Sequence, residues 1–188
     1  MGPLELVYIA IGIFFVLITL VRGYQREVAT TLLLMILIFL LTFLEAQQGI
    51  TARVSGLATG ILTGSRFGDS NVFFSFVWTI LFIGLIFAGY AGLHTANMLR
   101  LGTRRAEAPL GFFFDLAVGV LNGYLVAGML WYFQDHYGYP LQQFVKLDPA
   151  ALSDTARGLV AILPPYLINN PVYWIIPVVL ILLLQVRG

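Results

Sequence analysis

Long runs of apolar residues dominate the chain, and short polar segments separate them. Runs near 20 residues match the length that a helix needs to cross a hydrocarbon core of about 30 Å. The pattern predicts spans at about 3–21, 28–44, 72–93 and 110–133, with a fifth at 172–186. At 1.5 Å per residue the last run is about 22 Å long, which is short for a crossing. We therefore predict an all-α integral membrane protein of four to five transmembrane helices.

The connections between the runs differ in character. Segment 22–27 is so short that it predicts antiparallel packing of the first two spans. Residues 46–70 are rich in Gly, Thr and Ser, a composition that suits either an interfacial helix or a re-entrant piece. In the longest connection, Asp148 resembles an N-cap followed by proline, and apolar residues then recur at helical spacing up to a Pro-Pro pair. This pattern predicts an amphipathic surface helix at about 149–163.

Composition supports the membrane interpretation and excludes several chemistries. Of 188 residues, 60% are hydrophobic and only 10% are charged, against about 25% charged in ordinary soluble domains. The chain has no cysteine, which excludes disulfides, cysteine-ligated iron–sulfur clusters and thiol catalysis. A net charge of +1 gives no global bias towards nucleic acid. The first run ends at Arg22 without a small-residue cleavage site, so we interpret it as a retained span.

Charge and aromatic placement predict one orientation. If segment 22–27 is cytoplasmic, six basic residues lie inside and four outside, and the short loops near span ends hold most of the inside charge. Trp131, Tyr132, Tyr173 and Trp174 then lie at the outer interface, where such rings are enriched. We expect the N-terminus outside and the C-terminus in the cytoplasm.

Asp115 is the ionisable residue that the pattern places inside a span. One interpretation is a proton or ion site, because acids within the membrane are often functional. The other is an acid in the first turns of a helix, stabilised by the helix dipole and by Arg26, Arg104 or Arg105 nearby. We favour the second, since no deeper acid or lysine is available to relay a proton.

Candidate sites for cofactors and catalysis are few. His94, at the end of the third span, is a weak candidate for an axial ligand of a haem or chlorin. It has no second ligand three or four residues away, so we favour an interfacial polar residue. No HExxH, GxSxG or P-loop motif is present. We therefore predict no catalytic site, no cofactor and no metal.

Small residues recur every four positions on two spans. Gly84, Ala88 and Gly92 do so on the third span, and Gly119 and Gly123 on the fourth, with Asp115 on the same face. Small residues at this spacing let helix backbones approach closely in lipid. Two interpretations stay open: the third and fourth spans pack on each other, or one of these faces mediates dimerisation.

The turn after the first span resembles a known family motif. Arg22-Gly23-Tyr24-Gln25-Arg26-Glu27 is similar to the RG-x-x-RE turn of the colicin V production protein family. Without the family, the same residues predict that Glu27 stabilises a helix N-terminus and that the arginines reach lipid phosphates or pair with Glu27.

A second resemblance lies in the fourth span. The segment 119–123 is similar to the family's G-x-x-R-G helix, with Asn122 in place of the arginine and Asp115 in place of a further glycine. The motif residues that carry over are Arg22, Gly23, Arg26, Glu27, Gly119 and Gly123. The resemblance implies a bacterial inner-membrane protein linked to envelope processes and bacteriocin export.

These observations favour a non-enzymatic membrane scaffold or accessory protein that acts by helix–helix contact. Its expected partners are membrane lipids and other membrane subunits or a second copy of itself. One alternative is a peripheral subunit of a large respiratory or photosynthetic complex, in which aromatic, nearly uncharged spans pack against partner helices. The other is a transporter or channel component, which would need Asp115 to face a wet pathway.

Overall fold

The computed structural model describes residues 3–47, 56, 69–96, 108–140 and 152–187. Within these ranges the regular secondary structure is helical. The helices are α1 (Pro3–Arg22), α2 (Tyr24–Ala46), α3 (Ser70–Ala96), α4 (Ala108–His136), α5 (Asp154–Val160), α6 (Pro164–Leu167) and α7 (Val172–Arg187).

The helices α1 to α4 are each long and apolar enough to cross a membrane. This confirms the predicted all-α membrane architecture. The apolar part of α7, Val172–Leu184, is shorter than the other four. Large apolar side chains such as Leu17, Phe113 and Leu184 are exposed on the outside of the bundle, as expected for surfaces that contact lipid.

Helix α4 is the centre of the bundle. It packs mainly on α1 and α2 and also contacts α3, α5 and α6, while α7 packs on α2. Phe82, Met129 and Phe133 are fully buried in the core between these helices. The first two spans were predicted to pack on each other. In the structure α1 makes few contacts with α2 and packs mainly on α4.

A single residue, Gly23, separates α1 from α2. Its φ of 84° lies in the left-handed region that favours glycine, and this lets the chain reverse in one step. The observed turn is therefore shorter than the predicted one at 22–27, because Tyr24 to Glu27 already form the first turn of α2.

The surface helix differs from its predicted bounds of 149–163. Helix α5 begins at Asp154, where the side chain of Ser153 accepts a hydrogen bond from the Ala156 N–H at 3.2 Å. The Pro-Pro pair that was expected to end the helix occupies the first turn of α6 instead, a position that proline favours. Asp148 and nearly all of 46–70 lie outside the described residues.

Candidate functional site

Polar side chains converge where α1 ends and α2 begins. Arg22 Nη1 lies 2.8 Å from Glu27 Oε1, and both residues belong to the motif of this turn. The Glu27 side chain is 0% exposed, whereas that of Arg22 is 23% exposed. The ion pair therefore joins a fully buried carboxylate to a cation near the surface of the bundle.

The second oxygen of the Glu27 carboxylate is bound by two other helices. The Tyr90 hydroxyl of α3 donates to Oε2 at 3.0 Å, and Asn122 Nδ2 of α4 donates to it at 3.3 Å. The Arg22 guanidinium lies 4.8 Å from the centre of the Tyr90 ring, within the range of a cation–π interaction. Glu27 thus connects all four long helices.

Asn122 provides a further link between α2 and α4. Its Nδ2 also donates to the backbone oxygen of Glu27 at 3.3 Å, and its Oδ1 accepts from the Thr31 hydroxyl at 2.7 Å. Asn122 is fully buried. An unsatisfied polar group in hydrocarbon costs several kcal/mol, so separating these helices would be unfavourable.

Asp115 is bound to the backbone of another helix. Its Oδ1 accepts a hydrogen bond from the Tyr24 N–H at 2.5 Å, and its side chain is buried. Because the first N–H groups of a helix lack intrahelical partners, Asp115 caps the N-terminus of α2. The sequence predicted Arg26, Arg104 or Arg105 as the partner of Asp115. Arg26 is exposed, and Arg104 and Arg105 lie outside the described residues.

The glycines of α4 lie against α1. A Cβ atom on Gly123 would be 2.8 Å from Gly12 Cα, and one on Gly119 would be 2.8 Å from Val16 Cα. Neither position accepts a side chain without displacing backbone. This face of α4 therefore packs on α1, and not on α3 as one interpretation of the sequence proposed.

The small residues of α3 have a different environment. A Cβ atom on Gly84 or Gly92 would meet no described atom within 4 Å, and Ala88 is exposed. The side chain of His94, in the last turn of α3, lies outside the described part. Among the described residues, no three His, Asp or Glu side chains are grouped to hold a metal ion.

Sequence reasoning missed several members of this network. Tyr90 and Thr31 had no assigned role, and Asn122 was noted as a departure from the family motif. A usable signal was present, because Thr31 and Asn122 are polar residues within long apolar runs. In lipid, such residues hydrogen-bond across helices.

The arrangement can hold four helices together through one buried carboxylate. Tyr90 of α3 and Asn122 of α4 donate hydrogen bonds to Glu27, and Arg22 of α1 forms an ion pair with it. The geometry therefore suits a structural role, in which polar contacts to Glu27 hold the helices together. No family model, curated protein or solved structure matches the chain.

Proposed function

We propose that the protein is a non-enzymatic membrane scaffold or accessory protein that acts through helix–helix contacts with a second copy or with other membrane subunits. The observation that carries this proposal is the face of α3 formed by Gly84, Ala88 and Gly92. No described helix covers this face, although the same four-residue spacing on α4 mediates close packing on α1.

The surroundings of this face support an intermolecular contact. Ile80 is 65% exposed and Phe87 is 71% exposed on the same helix. Small residues between larger apolar side chains form a groove in which another helix can pack closely, and in lipid such packing drives association. A helix that faced only lipid would gain nothing from glycine, which weakens a helix by about 1 kcal/mol relative to alanine.

The buried polar groups favour a scaffold over a transporter. Asp115 would need to face water in an ion pathway, and it is buried against the N–H of Tyr24. A subunit of a larger complex would use the same face of α3, so that alternative differs in the identity of the partner.

For location, the proposal follows the resemblance of the Arg22–Glu27 turn to the colicin V production family. It places the protein in a bacterial inner membrane, with envelope or export processes as its context. The exposed Arg26 beside this turn supports a cytoplasmic position for the α1–α2 junction, with the N-terminus outside and the C-terminus inside.

Disulfide cross-linking in native membranes tests the contact. Because the chain has no cysteine, Ala88→Cys provides a single thiol at the centre of the face, and Leu17→Cys provides one on the exposed side of α1. We expect mild oxidation to produce a discrete adduct with Ala88→Cys and none with Leu17→Cys. Adding Gly84→Leu should abolish the adduct.

A disulfide needs a thiol on both partners, so the oxidation reports a second copy, and a photo-crosslinker attached to the same thiol reports another subunit; the mass of the adduct distinguishes the two. Absence of an adduct at Ala88→Cys, or equal adducts at both thiols, would overturn the proposal. Turnover of a substrate or ion conduction by the purified protein alone would also overturn it.

A further inference from the structure

A cavity of about 280 Å³ lies at the end of the bundle opposite the α1–α2 junction. Glu45 and Thr42 from the end of α2 line it together with Tyr132 and His136 from the end of α4. Pro165 of α6 closes it together with Ile168, Asn169 and Pro171 of the connection that follows. Polar and aromatic groups thus share one concave site where the spans end, a setting typical of small-ligand binding.

Glu45 is the charged group of this cavity, and its side chain is 10% exposed. The Tyr132 hydroxyl donates to Oε2 at 2.9 Å, and the Tyr137 hydroxyl donates to Oε1 at 2.6 Å. Burial, followed by this hydrogen bond, raises the pKa of Tyr137, so its hydroxyl keeps its proton.

The negative charge of Glu45 has weak compensation within the described chain. His136 Nε2 lies 3.7 Å from Glu45 Oε1, which is beyond hydrogen-bonding distance. No lysine or arginine of the described ranges forms an ion pair with this carboxylate. The hydroxyls of Tyr132 and Tyr137 are already directed at Glu45, so the cavity presents the carboxylate and aromatic rings to a ligand.

The rings form a wall beside the carboxylate. Tyr132 and His136 are stacked, with their centres 5.2 Å apart and their planes at 26°. A carboxylate beside aromatic rings suits ammonium groups, through charge and through cation–π attraction to a ring such as that of Tyr132. An anionic ligand could accept from His136 or Asn169 but would be repelled by the Glu45 carboxylate, so the charge favours a cation.

A second carboxylate at this end provides an internal comparison. Asp135 accepts the hydroxyls of Tyr139 and Tyr166, each at 2.8 Å, so it has the same pair of tyrosine donors as Glu45. Asp135 does not line the cavity. The two acids therefore differ in access to the cavity and share their hydrogen-bonding pattern.

We propose that this cavity binds an organic ammonium group, with Glu45 as its counter-ion and the rings of Tyr132 and His136 as its wall. The group belongs either to the head of a zwitterionic phospholipid or to a free small amine. This site is separate from the α3 face and does not depend on the proposed scaffold function.

The test uses the purified full chain in lipid nanodiscs or detergent. Calorimetry with choline and ethanolamine measures binding of free amines, and native mass spectrometry with phosphatidylethanolamine and phosphatidylglycerol measures binding of lipid head groups. We expect saturable binding of an ammonium compound and preference for the zwitterionic over the anionic lipid. Binding of the lipid alone or of the free amine alone identifies the source.

Variants locate the site. Glu45→Gln removes the charge and should weaken binding at least tenfold, whereas the matched Asp135→Asn should leave it unchanged. Ile168→Trp fills the cavity while the carboxylate stays intact, so it should also block binding and serves if Glu45→Gln fails to fold. Equal weakening by the two acid variants, unchanged binding in folded Glu45→Gln or in Ile168→Trp, a preference for phosphatidylglycerol, or no binding of any probe would overturn the proposal.

Discussion

Two faces of small residues share one spacing in this molecule and have opposite environments. On α4, Gly119 and Gly123 lie against the backbone of α1. On α3, a Cβ atom added to Gly84 or Gly92 would meet no described atom of another helix within 4 Å. The spacing therefore indicates how closely a neighbour can approach, while the identity of the neighbour depends on what the opposite helix presents.

The opposite helix explains the difference. α1 presents Gly12 directly to Gly123, so both sides of the contact are small. Helix α3 instead uses another glycine for its contact within the chain, since a Cβ atom on Gly89 would collide with the Leu33 side chain of α2. Its Gly84 side is covered by none of the described residues.

The largest expected effect comes from filling the packed face. Gly123→Leu places a branched side chain where a Cβ atom alone would be 2.8 Å from Gly12 Cα. Overpacking usually costs about 1–3 kcal/mol, and a clash with backbone should reach about 3 kcal/mol or more. Denaturant titration in micelles, followed by circular dichroism, measures this loss.

The matched control is Gly84→Leu, on the uncovered face. It should not lower the free energy of unfolding, and it should raise it by up to about 1 kcal/mol because leucine favours a helix over glycine. If the two leucine variants lose equal stability, the difference between the faces is wrong.

A smaller effect should follow from removing the hydrogen bonds of Asn122, which lies beside the packed face of α4. Asn122→Ala loses hydrogen bonds to Thr31 and Glu27 and leaves their groups buried, which should cost about 2 kcal/mol. A double-mutant cycle with Thr31→Val should reveal a coupling energy of about 1 kcal/mol. Zero coupling would mean that the Thr31–Asn122 hydrogen bond contributes nothing to the packing of α2 on α4.

The smallest effect is expected at Asp115, four residues before Gly119. Asp115→Ala removes the cap from α2 and should cost about 1 kcal/mol. Asp115→Asn keeps an acceptor and loses only the charge–dipole term, about 0.3–1 kcal/mol. Thermal unfolding should therefore rank the wild type above Asn and Asn above Ala. Loss of ion flux in a stable Asn variant would instead support an ion site.

The sequence predicted the helical architecture because runs of about 20 apolar residues have one stable solution in lipid. It also identified Arg22 and Glu27 as possible partners, since they flank a tight turn, and the structure places them 2.8 Å apart. It could not identify Tyr90 as a ligand of Glu27 or Tyr24 as the partner of Asp115. Those contacts depend on how helices rotate and cross, which hydropathy does not encode.

The surface helix shows the same limit on a smaller scale. Proline is favoured at the first turn of a helix and also ends a preceding one, so a Pro-Pro pair marks a boundary without a direction. The structure uses Pro164 to begin α6, and Pro164 also packs against Gly128 of α4. The local sequence pattern located the helix boundary, and the tertiary contact determined that a helix begins there.

The cap on α2 has a consequence for the order of assembly during synthesis. Asp115 and Tyr24 are separated by 91 positions, so the first turn of α2 emerges from the ribosome long before its acceptor. Until α4 arrives, that N–H group requires water or a lipid phosphate as a substitute partner. The early α1–α2 hairpin is therefore an unfinished intermediate, and α4 is the element whose insertion completes it.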